Sequence, residues 1–219
     1  MKFHLRRAVT ALFVVALGAS SMAQASLVDR GGGLIYDTDL NITWLADANY
    51  AMTSGFDADG AMTWSTAMTW AADLSYGGYT DWRLPATVQP DATCGDQSGG
   101  DSFGYNCTGS EMGHLFYTEL GGVARTSIAT THNANYNLFQ NVQSDSYWSG
   151  TVYAPYIYYV WSFDFYDGNQ LMGIKGNPFY AWAVRPGDVA AVPLPATAWL
   201  FGSGLLGLVG MARHKKRTV

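Results

Sequence analysis

The chain has 219 residues, with 17 acidic and 12 basic side chains and a formal net charge of −5. The charge is unevenly spread: residues 26–190 hold all 17 acids but only Arg30, Arg83, Arg125, Lys175 and Arg185, five against 17, or −12. Such a surface excludes nucleic acid, whose phosphates demand a basic face, and disfavours electrostatic capture of anionic lipid or sulfated glycans.

The first 25 residues have the layout of a secretory signal peptide. Lys2, Arg6 and Arg7 give a positive start, residues 8–19 are apolar, and Ala23-Gln24-Ala25 offers small residues for signal peptidase. The apolar run is short for an uncleaved anchor. Residues 26–190 then suffice for one domain with its own core.

Within that domain, residues 34–37 and 42–45 read as two strands joined by a polar turn. Trp64, Ala67, Met68, Ala71 and Leu74 recur at helical spacing and predict a helix over 63–75, ended by Gly77-Gly78. Residues 81–84 form a short strand stopped by Pro85. A long polar loop follows over 86–107. Thr108-Gly109-Ser110-Glu111 fits a capping box for a second amphipathic helix carrying Met112, Leu115, Phe116 and Leu120, closed by Gly121-Gly122. Residues 123–144 lack periodicity and read as loop. Three strands are expected over 147–151, 158–166 and 179–185. In the second, Trp161, Phe163 and Phe165 alternate with Ser162, Asp164 and Tyr166, the pattern of a half-buried strand. The order predicts an α+β domain with two helices against a mostly antiparallel, irregular sheet.

Cys94 and Cys107 are the only cysteines. In an exported chain they read as one disulfide, since neither has nearby ligands for a metal site.

The C-terminal residues carry a second sorting signal. Val192-Pro193-Leu194-Pro195 is stiff and extended, residues 196–212 are apolar, and Arg213-His214-Lys215-Lys216-Arg217 is basic. The apolar stretch is near the lower limit for a membrane-spanning helix. Residues 192–217 resemble the PEP-CTERM sorting signal of Gram-negative bacteria, with Leu194 where glutamate is usual. The resemblance implies processing by an exosortase, transient anchoring in the inner membrane, and an association with exopolysaccharide and biofilm. A plain membrane anchor shares the layout, and both place the domain outside the cytoplasm.

Four segments carry a further resemblance: Gly33-Leu34-Ile35-Tyr36-Asp37 with Thr43-Trp44-Leu45, Gly78-Tyr79-Thr80-Asp81-Trp82-Arg83-Leu84-Pro85, Tyr147-Trp148-Ser149-Gly150-Thr151, and Tyr180-Ala181-Trp182-Ala183-Val184-Arg185. Together they resemble the C-terminal domain of the Legionella collagen-like adhesin (Lcl). That resemblance implies a fold like C-type lectins and the formylglycine-generating enzymes. The adhesin's glycosaminoglycan binding is not expected here, given the acidic charge. Nor is formylglycine-type oxidation, because no matching cysteine pair exists.

No catalytic constellation emerges from the sequence. Gly-x-Ser-x-Gly and zinc-type motifs are missing, and His114 and His132 lack ligand spacing. Glu111 and Glu119 stand two turns apart on one predicted helix and should not share a site. Asp37-Thr38-Asp39-Leu40-Asn41 starts like a calcium loop, but Ile42 and Ala48 replace the glycine and glutamate the motif needs. Calcium therefore stays possible without a complete motif, and turn formation is the simpler use of these residues, as of Asp57, Asp59, Asp164 and Asp167. Arg83 and Arg185 are expected to pair with carboxylates. Trp44, Trp82, Trp148, Trp161 and Trp182 are expected in the core. Tyr153, Tyr156, Tyr158 and Tyr159 around Pro155 are the one candidate ligand surface, able to stack on sugar rings or contact protein. The function expected is that of a non-enzymatic surface or matrix protein, binding exopolysaccharide or, alternatively, other proteins; an enzyme acting on polysaccharide ranks last.

Overall fold

The computed structural model describes residues 26–154 and 156–189. The two expected sorting signals, with Val192, Pro193, Leu194 and Pro195, lie outside the described residues, and so does the apolar stretch 196–212. Among the described residues no helix is long and apolar enough to cross a membrane.

Two sheets organise the domain. The first runs β1 (Leu27–Gly31), β2 (Leu34–Asp37), β3 (Ile42–Leu45) and β11 (Val184–Pro186), all antiparallel. β2 and β3 occupy the positions the sequence indicates. β3 is buried throughout, so both its faces are covered. The second sheet runs β4 (Ala61–Met62), β10 (Phe179–Tyr180), β7 (Ser146–Val152), β8 (Tyr159–Asp164) and β9 (Asn169–Ile174). It is mixed, because β10 lies parallel to β7 while the other pairs are antiparallel. A small hairpin of β5 (Asp96–Ser98) and β6 (Asp101–Phe103) sits inside the polar loop.

Trp182 stands between the two sheets. It is fully buried, its indole N–H donates to Leu45 O at 2.7 Å, and its ring meets Trp44, Phe139, Tyr147 and Phe165 with centroids 5.2–5.8 Å apart. All five tryptophans expected in the core are buried.

The helices are short: α1 (Tyr50–Thr53), α2 (Trp64–Asp73) and α3 (Glu111–His114). α2 buries Ala67, Trp70 and Ala71, an i, i+3, i+4 face. Met68, expected inward, is exposed; the large Trp70 ring takes the inner position and rotates the face. α3 runs directly into a π-helical segment, Leu115–Glu119, before ending at Leu120. Gly113 lets α3 approach closely, since a Cβ there would stand 1.7 Å from Cys107 O.

Several local expectations change. The helix starts at Ser110 without a side-chain cap, and Glu111 turns instead to Arg83 and the Ala86 amide, so there is no capping box. Within 158–166 the expected alternation fails at Ser162, which is buried along with Val160, Trp161 and Phe163, while Asp164 is half-buried and Tyr166 exposed. Residues 179–185 do not form one strand. They divide between β10 and β11 in different sheets, with Ala181, Trp182 and Ala183 crossing the core between them. Finally, β1, β4, β5, β6 and β9 occur where no strand was expected, and residues 81–84 form no strand but only an isolated bridge from Arg83 to Val184. The result is an α+β domain dominated by irregular, antiparallel and mixed sheet.

Candidate ligand-binding groove

The β7–β8 connection builds the groove. Three hydrogen bonds set its shape: Tyr156 N to Tyr153 O (3.2 Å), Tyr159 N to Tyr156 O (3.0 Å) and Tyr153 N to Tyr159 O (3.1 Å). Bonds spaced three residues apart bring side chains at i and i+3 into line. Tyr153, Tyr156 and Tyr159 therefore face one depression of about 340 Å3, together with Met172 of β9. The ring centroids of Tyr153 and Tyr156 are 6.0 Å apart, and those of Tyr156 and Tyr159 are 6.4 Å apart. Tyr158 falls between these positions. It is 72% exposed and does not line the depression, while its carbonyl accepts from Lys175 N at 3.0 Å.

Tyr153 is held from two sides. Its ring meets Trp161 edge-on at 5.5 Å, and its hydroxyl donates to Asp101 Oδ2 at 2.9 Å. The Asp101 carboxylate raises the Tyr153 phenol above its ordinary pKa, so the hydroxyl stays a donor. Asp101 belongs to the loop closed by the Cys94–Cys107 disulfide. Side chains stiffen that loop further. The Gln89 amide exchanges two 2.7 Å bonds with the Ser102 backbone, and Asp91 accepts from Thr93 N and Gly109 N. Gly104 and Gln170 exchange backbone bonds of 2.8 Å, which ties the loop to β9.

Beside the groove, Val152, Tyr156, Ile157, Tyr158, Tyr159 and Ile174 expose large apolar surface in one neighbourhood. Val152 pairs next to Val160, and Tyr159 pairs with Ile174 across β8 and β9. Apolar exposure of this kind makes the neighbourhood a candidate interaction surface.

The other candidates resolve separately. Arg83 forms a two-pronged pair with Glu111 (2.8 and 2.6 Å), and Arg185 forms one with Asp81 (2.8 and 2.9 Å) while lying 4.1 Å over the Tyr79 ring. Asp37, Asp57, Asp164 and Asp167 all accept backbone N–H groups two or three residues on, as turn-forming aspartates do. His132 stacks on Tyr136 at 4.0 Å.

One grouping escaped sequence reasoning. His114 Nε2 lies 3.1 Å from Glu119 Oε1, with Asp37 beside them. The π-helical winding brings residue 119 back toward residue 114, and no sequence signal announced that winding. The hydrogen bond to Glu119 raises the His114 pKa against the effect of burial. Burial pushes the Glu119 carboxyl up, but bonds from His114 and Ser26 outweigh it, leaving the group below its ordinary value. Burial raises Asp37.

The fold and groove define a disulfide-pinned α+β domain that presents an open, tyrosine-lined depression. Residues 33–185 match the Lcl C-terminal domain, and the chain belongs to that family. No curated protein and no solved structure matches the chain.

Proposed function

We propose that the chain is an exported surface or extracellular-matrix protein whose domain binds exopolysaccharide and catalyses no reaction. In this reading signal peptidase removes residues 1–25, and an exosortase acts at Val192-Pro193-Leu194-Pro195 in a Gram-negative cell. Membership of the Lcl C-terminal domain family fits a surface or adhesive role. The finer likeness to C-type lectins belongs to this proposal.

The alignment of Tyr153, Tyr156 and Tyr159 along one open groove carries the reading. The CH groups of a sugar face meet the negative face of an aromatic ring favourably. Rings spaced 6.0 and 6.4 Å apart offer successive contacts to a chain of sugars. The acidic balance of the domain favours a neutral polymer over a polyanion. No cofactor enters the binding, and calcium is not required.

The test is a pull-down of the protein on the producing organism's own exopolysaccharide, run with calcium and again with a calcium chelator. Saturable binding in both conditions is expected, with loss on Tyr156→Ala. Binding that survives replacement of all three groove tyrosines would remove the groove from the account.

A second reading has its own support. Ile157, Ile174 and Val152 are exposed aliphatic side chains, which stack poorly on sugars and suit a protein partner. Failure to bind any polysaccharide, with capture of a defined matrix protein through these residues, would favour it.

A further inference from the structure

A second constellation lies away from the groove. Asp37 ends β2, His114 ends α3 and Glu119 ends the π-helical segment. One donor atom of each lies within 4.8 Å of the other two. Asp37 and Glu119 are buried, and the His114 side chain is 14% exposed. Asp37 comes from 77 residues before His114, which stands five before Glu119, and the irregular π winding that places Glu119 is a feature often kept for function.

An independent observation concerns Asp37. Its Oδ1 accepts from Asp39 N (3.1 Å) and Leu40 N (3.0 Å), but its Oδ2 is buried without any hydrogen-bond partner. Ionised, that oxygen is an acceptor with no donor; protonated, it is a donor with no acceptor. Neither state satisfies it, and a buried polar group left this way is costly. Trp44 Nε1 faces the same carboxylate and lowers its pKa as a donor would, but it stands outside hydrogen-bond geometry and is itself unpartnered.

We propose that Asp37, His114 and Glu119 bind one divalent transition-metal cation of the Zn2+ class. One imidazole and two carboxylates in a buried pocket suit a four-coordinate ion better than calcium, which takes six to eight oxygens. The two carboxylates balance the charge of a divalent ion when the imidazole is neutral. A tetrahedral ion with bonds of about 2.1 Å separates its ligands by about 3.4 Å, and His114 Nε2 and Glu119 Oε1 already stand 3.1 Å apart. Binding replaces the hydrogen bond between those two atoms: a neutral His114 carries its proton on Nδ1 instead, and a protonated one loses its Nε2 proton to solvent. Ser26 Oγ donates to the other Glu119 oxygen and orients that carboxylate. Water completes the fourth position.

The full chain, stripped with chelator and dialysed, is titrated with Zn2+ by calorimetry, and Co2+ is added separately as a visible-absorption probe. One equivalent of Zn2+ is expected, with a raised thermal midpoint and Co2+ absorption of tetrahedral type. Asp37→Asn, nearly isosteric, and His114→Gln are each expected to weaken Zn2+ binding by at least about 10-fold, a loss that altering even the outer supports of a metal site produces. Wild-type protein that takes up no Zn2+ overturns the proposal whatever the variants do. Stoichiometric uptake that both variants retain also overturns it, by placing the ion elsewhere.

Discussion

Single side chains in this domain are held by specific partners, and Asp81 shows how much one of them matters. Arg185 holds the Asp81 carboxyl below its ordinary pKa through a two-pronged hydrogen bond. The folded value lies below the unfolded one of about 3.9, so the pair adds stability above that pH and loses it as pH falls through the folded value. The Asp81 side chain is 47% exposed, so solvent screening holds the gain under about 1 kcal/mol. Asp81→Asn should therefore lower urea stability slightly at neutral pH, by an amount that shrinks as pH falls below about 3.9. The arginine partnerships were legible from composition: with five cations among 17 acids, Arg83 and Arg185 each find a carboxylate. The particular partner was not legible. Glu111 sits 28 residues from Arg83, and its place in an apparent capping box hid that use.

At the scale of elements, α3 and the disulfide loop depend on one another. Gly113 packs against Cys107 O, where any Cβ would collide with backbone that cannot move aside. Gly113→Ala is expected to destabilise by about 3 kcal/mol or more, the upper range for overpacking, measured by thermal and denaturant unfolding. The Cys94–Cys107 link spans 13 residues, and its removal should cost about 3 kcal/mol in the chain-entropy account. Because the loop carries Asp101 to Tyr153, the Cys94→Ser/Cys107→Ser double variant should also bind polysaccharide more weakly than its residual stability alone explains. Equal affinity in oxidised and double-variant protein would disconnect loop from groove. Strands with clean apolar patterning, such as β2 and β3, could be read directly from the residues. β1 (Leu-Val-Asp-Arg-Gly) and β9 (Asn-Gln-Leu-Met-Gly-Ile) could not, because their pairing comes from neighbours and their local composition is mixed. The break between β10 and β11 was equally silent: Ala181-Trp182-Ala183 is apolar like a strand, and only the tertiary position of Trp182 turns it across the core.

Across the whole molecule, sequence and structure divide the functional account between them. The expected sorting signals lie at the ends of the chain and are pure sequence patterns, while the proposed binding surface exists only once the sheet has formed. Four tyrosines within seven residues marked the region, but their local turns decide that Tyr153, Tyr156 and Tyr159 share the groove and Tyr158 does not. The Asp37–His114–Glu119 grouping was invisible for the same reason, since its spacing of 77 and five residues matches no ligand motif. A net charge of −12 over the domain gives a further expectation: binding to a neutral polymer through ring stacking should change little between low and high salt, where a charge-driven contact would weaken. The most direct measurement is titration of the protein with purified exopolysaccharide, followed by tryptophan fluorescence, since Trp161 lies against Tyr153. Saturable quenching, nearly independent of salt and lost in Tyr156→Ala and Tyr159→Ala but kept in Tyr158→Ala, is the predicted result. Binding unaffected by the groove variants, or abolished by salt, would contradict it.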